Sequence, residues 1–265
     1  MTESAWKVVM DGDGLTISGE SFSLTTNSSD ADIDSVVSQL QGVARGTYGQ
    51  YCGLSRAIEA VGERWGMLVV RDLLVTPKSA PELQRGLPRV PLNLLSMRIR
   101  ELAYTGILEK DGTTDADGQD RYRLTTYGRR LEDILLAFGR WGSAMLAEPR
   151  PEDIVTEDSL MVAMRAAFVS EAAAGRSERF ELVFGDIVIH VVVEDGQLEV
   201  GRGPLPGAPS IDPGPYLKDM LTRAMSLEEG MATGTVHTNG DPKAMERLLS
   251  LFALPYQALP QRSML

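Results

Sequence analysis

The sequence predicts an α+β protein in which a mostly helical domain carrying one β-hairpin precedes an α+β pocket domain, with a short β-rich extension ahead of both. Three observations predict it. Residues 51–146 keep a helical spacing of apolar residues that is interrupted once, by a polar stretch rich in Gly and Asp. Residues 178–203 alternate in three bursts broken by the turn pairs Gly185–Asp186 and Asp195–Gly196, and helical segments stand on both sides. Between these regions, "AEPRPEDI" (Ala147 to Ile154) has the prolines and charges of a linker. The boundaries that follow are 1–48, 49–147 and 155–258.

The 265 residues suit two domains, and 43% hydrophobic residues are enough for real cores. A single cysteine, Cys52, excludes an internal disulfide framework, and two histidines leave little for a zinc site. No apolar run approaches the roughly 20 residues that span a bilayer, so the chain reads as soluble and cytoplasmic, without membrane partners. The net charge of −11 is unevenly spread: −5 over residues 1–50, +2 over 51–150 and −8 over 151–265. A polyanion would be tolerated only by the middle third.

Along the chain, "WKVVM", "LTIS" and "SFSL" predict two or three short strands, with turns at "DGDG" and at Gly19–Glu20. An acid-rich helix is expected from Asp30 or Asp32 to Gln41. "GLSRAIEAVG" and "ERWGMLVVRDLLV" predict a short helix and a longer one, stopped by Pro77. Ser79 then stands as N-cap with Glu82 three later, a capping box. "PLNLLSMRIRELAYTG" is the next helix, closed by Gly106, and "ILEKDGTTDADGQDRYRLT" is a hairpin. One long helix follows from Tyr127 to Leu146. In the last domain the expectation is a helix capped by Thr156, three strands, a Pro/Gly loop "GPLPGAPSIDPGP", a helix from Pro215 to Met225, a short one from Ser226 to Ala232, the strand "GTVHT", and a helix from Asp241 to Phe252. The strand "DIVIHVVVED" is apolar on both sides, which predicts a sheet covered on both faces.

Three helices followed by a hairpin are the winged helix-turn-helix order. In the third helix Leu95, Ile99 and Leu102 form the core stripe, which leaves Asn93, Ser96, Met97, Arg98, Arg100 and Glu101 on the remaining faces. Short polar groups such as Asn93 and Ser96 can read base edges, and Arg100 can reach a guanine or a phosphate. The competing reading is an ordinary solvated helix face.

The run "YCGLSRAIEAVGERWGMLVVRDLL", "APELQRGLP", "NLLSMRIRELAYTGILEK", "YRLTTYGRRL" and "WG" resembles the HxlR family of bacterial winged-helix regulators, over Tyr51 to Leu146. The resemblance implies a homodimer on a pseudo-palindromic operator. Its DNA contacts would fall on Lys78, Arg89, Asn93, Ser96, Met97, Arg98, Arg100, Lys110, Arg121 and Arg123, and its dimer contacts on Leu54, Ile58, Leu135, Phe138 and Trp141. This chain departs from the family pattern at "PKSAPEL", where an arginine and an aromatic are usual, at Met97 in place of a glutamine, and in the wing. There Asp111, Asp115, Asp117 and Asp120 oppose Lys110, Arg121 and Arg123. Cys52 stands where some members carry a redox-sensing thiol; the plainer reading is a small, partly buried residue at a helix start.

Residues 156–254 resemble the sterol-carrier-protein-2-like fold through the order of "YLKDML", "SLEEGMATG", "GTVHTNG" and "DPKAMERLLSLF". That resemblance implies a tunnel for a hydrophobic small molecule, with Phe168, His190, Met220, Met225, Met231 and Phe252 as candidate lining. For each methionine core filling is the alternative, and for His190 a satisfied place in the sheet. No catalytic set, phosphate loop, cofactor motif or metal-ligand spacing occurs; "DGDG" and "DADG" lack the closing Glu of a calcium loop and read as turns. The sequence therefore predicts a dimeric, ligand-responsive transcription regulator, a repressor, and not an enzyme. The alternative is a small-molecule carrier that keeps its winged helix for dimerisation.

Overall fold

The computed structural model describes residues 7–11, 14–19 and 22–25 as backbone, and residues 47–146, 150 and 152–255 in full. The chain divides into two compact units, Met1–Glu59 and Ala60–Leu265. In the first, β1 (Lys7–Asp11), β2 (Gly14–Gly19) and β3 (Phe22–Thr25) form an antiparallel meander in the order β1-β2-β3. Ile17 stands opposite both Val8 and Leu24. The helix expected from Asp30 or Asp32 to Gln41 lies outside the described residues. Helix α1 (Gly53–Val61) follows, and ahead of it the Tyr48 N–H donates to the Glu59 carboxylate at 2.8 Å.

The winged helix is built from α2 (Gly66–Val75), α3 (Ala80–Gly86), α4 (Leu92–Tyr104) and the hairpin β4 (Leu108–Thr114) with β5 (Asp120–Leu124). Glycine is required at 66, because a Cβ there would lie 2.7 Å from the Val61 carbonyl oxygen. The box that starts α3 forms as its spacing predicts: the Ser79 hydroxyl accepts from the Glu82 N–H, and the Glu82 carboxylate accepts from the Ser79 N–H. Leu95, Ile99 and Leu102 of α4 are buried beside Val70, Leu73 and Leu83, so one stripe of each helix enters a shared core. Lys78 pairs by its backbone with Tyr122 in β5, which lays the segment before α3 against the wing.

The expected long helix after the wing is two. The short α5 (Thr126–Arg129), capped by Thr125, precedes α6 (Leu131–Ser143). Gly128 lies so close to the loop before β4 that a Cβ would meet the Ile107 carbonyl oxygen at 2.2 Å. That contact pins the first turn, and the chain restarts its helix beyond Arg130.

In the C-terminal domain α7 (Glu157–Ala167) begins at a Thr156–Ser159 capping box. Strands β6 (Ser177–Phe184), β7 (Ile187–Glu194) and β8 (Gln197–Arg202) form hairpins at the expected turns. The loop reading of "GPLPGAPSIDPGP" needs correction: Ser210–Asp212 is a strand, β9, parallel to β6. With β10 (His237–Asn239), the sheet among the described residues runs β10-β9-β6-β7-β8. The helix expected from Pro215 to Met225 is also shorter. A 3-10 turn (Gly214–Tyr216) leads into α8 (Leu217–Leu221). The chain then leaves the helix through Arg223 at φ 62°, and the Asp219 carbonyl accepts from the N–H groups of Ala224 and Met225. A left-handed residue closing on a carbonyl of the last turn is a helix stop even without glycine. Helices α9 (Leu227–Ala232) and α10 (Ala244–Leu251) complete the domain.

Helices cover one face of this sheet. Phe180, Leu182, Ile189, Val191, Val193, Val200 and Ile211 pack on Met161 and Met164 of α7, Met220 and Leu221 of α8, and Met245 and Leu248 of α10. The opposite face differs from the two-sided burial expected: Val183, Val188, His190 and Val192 are half-buried there. The segment after β8 lies against that face, with Leu205 N–H donating to the Glu181 carboxylate at 3.2 Å.

Phe180 is fully buried at the centre of the sheet. Phe180→Ala is expected to lower the unfolding free energy by about 3–5 kcal/mol, the cost of truncating a large core aromatic. Urea unfolding of the full chain reads this; a loss below 1 kcal/mol would show that the site collapses around the smaller side chain.

Candidate nucleic-acid interface

Four of the groups expected to meet DNA share the outer face of α4. Its N-terminal end is set by Pro91, whose carbonyl accepts the Leu95 N–H at 2.9 Å. With Leu95, Ile99 and Leu102 turned inward, Asn93, Ser96, Met97, Arg100 and Tyr104 recur at helical spacing on the other side. Asn93 and Arg100 are exposed, Ser96 and Met97 half-buried, and Tyr104 is 72% exposed. Arg100 has no ionic partner among the described residues. Arg98, one residue round the helix, is turned inward and clamped: its guanidinium donates to Glu101 at 2.5 Å and to Glu63 at 2.8 Å.

The wing has almost every cation paired. Lys110 reaches Asp120 at 2.6 Å and Arg123 reaches Glu109 at 2.9 Å, all four about half exposed. Such exposed pairs are weak and screened by solvent, so a phosphate can replace the carboxylate at little cost. Arg121 is held differently. It makes a two-pronged contact with Glu82, Nε–H to Oε2 at 2.8 Å and Nη2–H to Oε1 at 2.5 Å, and this guanidinium holds the Glu82 carboxyl down to about 2. The Ser79 hydroxyl donates to Asp115 at 2.5 Å, which ties the wing loop to the start of α3. Asp115 in turn accepts the N–H groups of Asp117 and Gln119, so "DADG" is a turn closed on its own aspartate.

Lys78 is buried, and its ammonium lies 3.0 Å from Asp158 at the start of α7. Arg89 is mostly exposed, with Glu152 at 3.9 Å. Two exposed cations escaped the sequence reading. Arg85 is 74% exposed on α3, 4.0 Å from Glu82, and Arg64 lies over the Trp65 ring at 5.2 Å. The position of Arg85 three residues beyond the capping Glu82 was a usable signal.

Of the residues expected at a dimer contact, Leu54 and Ile58 are exposed on α1. On α6, Phe138 and Trp141 are exposed and stacked with centroids 5.5 Å apart, joined on that face by Ile134, which sequence reasoning missed. Leu135 faces the core instead, 8% exposed. Cys52 is exposed rather than partly buried, and the N–H groups of Ser55 and Leu54 at the start of α1 lower its thiol pKa.

The candidate pocket residues of the C-terminal domain do not converge. Met220 and Phe252 are fully buried in the core, and Phe168 packs on Phe252 with centroids 5.5 Å apart. Met225 lines an open groove of about 510 Å³ with Arg223, Leu227, Leu249 and Ser250. Met231 is 45% exposed. His190 is half-buried, with Nδ1 3.0 Å from the Gly203 carbonyl oxygen, and its ring lies over Gly201, where a Cβ would come within 2.2 Å of Nε2. Among the described residues no cluster of His, Cys, Asp and Glu could hold a metal ion, and no helix is long and apolar enough to cross a membrane.

The stretch that carries this geometry also carries a family signature, for residues 60–150 match the model of HxlR-like helix-turn-helix proteins. Residues 60–150 are an HxlR-like helix-turn-helix domain. Among similar proteins, an HTH-type transcriptional regulator of Mycobacterium tuberculosis (strain H37Rv) is 34% identical over 99 residues, 37% of this chain and 61% of the relative. One of Synechocystis is 27% identical over 100 residues, 38% of this chain and 74% of the relative. The match thus spans 61% of the length of the first of these relatives. The solved structure of the redox regulator HypR in its reduced form is 25% identical, with a TM-score of 0.32, covering 34% of this chain and 90% of that one. The HxlR-like match ends at residue 150, ahead of the C-terminal domain.

Glu82 gives the wing attachment a pH signature. Its folded pKa is depressed, so the Arg121 pair stabilises fully above the ordinary carboxylate range and loses that contribution as pH falls from about 4.5 towards 2. The stability difference between the wild type and Glu82→Gln is therefore expected to be constant above about pH 5 and to shrink below it. Urea titrations across that range test this; a difference independent of pH would remove the pair as its source.

Proposed function

We propose that the chain is a helix-turn-helix transcription regulator that binds double-stranded DNA through α4 and the wing. The observation that carries this reading is an exposed polar face on α4, with Asn93 and Arg100 outward and Leu95, Ile99 and Leu102 inward, inside a domain matched by the HxlR-like model. A helix of this length suits the major groove, where Asn can pair with adenine and Arg with guanine or a phosphate. The family and its relatives are regulators, which is no basis for catalysis. Dimerisation is supported by the exposed aromatic face of α6, since large apolar side chains left in water favour a partner surface. A pseudo-palindromic operator and repression follow from the same reading.

The C-terminal domain acts as the sensing module. Its helix, strand and helix order supports a sterol-carrier-like reading, and the groove at Met225, Leu227 and Leu249 offers an apolar ligand a place. A second reading, a carrier that retains the winged helix only to dimerise, is favoured by one observation: the wing arginines are paired with the protein's own carboxylates.

A gel shift with the DNA upstream of the protein's own gene separates the two readings; no specific complex at low salt selects the carrier. Arg100→Ala is expected to weaken the complex about tenfold, within the cost of about 1–3 kcal/mol for a lost base contact, with urea unfolding unchanged. If Arg100 meets only a phosphate, the slope of log K against log salt falls by about 0.9 as well. Unchanged affinity would remove the residue from the interface. Phe138→Glu with Trp141→Glu is expected to convert a dimer to monomer in analytical ultracentrifugation; an unchanged mass would place the contact elsewhere.

A further inference from the structure

The winged helix and the C-terminal domain, both within Ala60–Leu265, flank an open polar cavity of about 460 Å³. Its size falls within the range of small-molecule sites, yet its walls are ionic rather than apolar. From the winged helix come Lys78, Glu82, Arg85 and Arg121; from the other side come Glu157, Asp158 and Arg202. Cations outnumber carboxylates by four to three.

The carboxylates already show what the cavity recognises. Asp158 sits between the Lys78 ammonium at 3.0 Å and the Arg202 guanidinium, and Glu82 sits between Arg121 at 2.5 Å and Arg85 at 4.0 Å. Asp158 and Glu82 are thus each served by two cations, while Glu157 has Arg202 alone at 3.4 Å. Donor capacity is left over. Arg85 has Glu82 only at the limit of an ion pair and is 74% exposed, and Arg202 is 40% exposed with five N–H donors to share between Asp158 and Glu157. Gly86 also lines the cavity and brings no side chain into it.

We propose that this cavity binds a small molecule bearing carboxylate or phosphate oxyanions, held by Arg85 and Arg202 from opposite walls. It is a site distinct from the apolar groove at Met225. As an effector site it rests on the regulator reading. Its consequence there follows from position: the same walls contain Glu82 and Arg121, which fix the wing, and Lys78 and Asp158, which join the domains.

Titration calorimetry of the full-length protein with sodium phosphate and with succinate, each against sodium chloride at matched ionic strength, is the test. Saturable binding of either is expected, and which one binds identifies the oxyanion. Arg85→Ala is expected to weaken it at least tenfold, while Arg129→Ala, an exposed cation outside the cavity, leaves it unchanged. No binding of either beyond sodium chloride, or wild-type affinity in Arg85→Ala, would overturn the site. Oxyanion binding without a complex on the upstream DNA would support the site and sink the regulator reading alone; a DNA complex without oxyanion binding would do the reverse.

Discussion

Lys78 has its main chain in the wing's hydrogen-bond ladder and its ammonium on a carboxylate of the other domain. The backbone exchanges two hydrogen bonds with Tyr122, at 3.1 and 2.9 Å, while the side chain, about 10% exposed, meets Asp158. A buried charge is tolerated only when it is paired, and leaving its partner alone costs about 3–5 kcal/mol. That pairing holds α7 against the segment that leads into α3. Ser79 and Glu82 follow within four residues and hold the wing through Asp115 and Arg121. The position of the wing, the start of α3 and the placement of the C-terminal domain are thereby one linked arrangement.

The same linkage divides the cations around the exposed face of α4 by how firmly they are held. Lys78, Arg98 and Arg121 are built into the structure, where a phosphate would have to displace well-buried or two-pronged partners. Lys110 and Arg123 are in exposed pairs that salt and phosphate exchange readily, and Arg100 is uncommitted among the described residues. On the proposed reading, affinity for DNA would come from few charges, and recognition would lean on the short polar groups of α4.

The C-terminal domain shows the opposite economy. Its methionines and phenylalanines, which composition alone offers equally to a pocket or a core, mostly fill the core: Met161, Met164, Met220, Met245 and Phe252 pack the covered face of the sheet. The flexible, unbranched thioether suits that role, because it fills irregular gaps in a core. What remains open lies at the edges, in the groove beside Met225 and in the ionic cavity towards the winged helix.

Local chemistry was legible in the sequence wherever neighbours along the chain decide it. The capping box at Ser79, the cap at Thr156, the core stripe of α4, the hairpin turns and the helix–helix–helix–wing order are all written in spacings of three or four residues or in alternation. What alternation could not show was β9, because three residues in a Pro/Gly loop become a strand only when β6 offers its edge, nor the break at Arg130, which depends on Gly128 meeting Ile107. Roles of single charges were the least legible. Lys78, Arg98 and Arg121 look alike on paper as cations near a recognition helix, and only the folded chain brings Asp158, Glu63 and Glu82 to them across 35 to 80 residues. Period and capping act within a turn or a strand and so belong to the sequence. Ion pairing and burial depend on which distant groups arrive, and that only the tertiary structure decides.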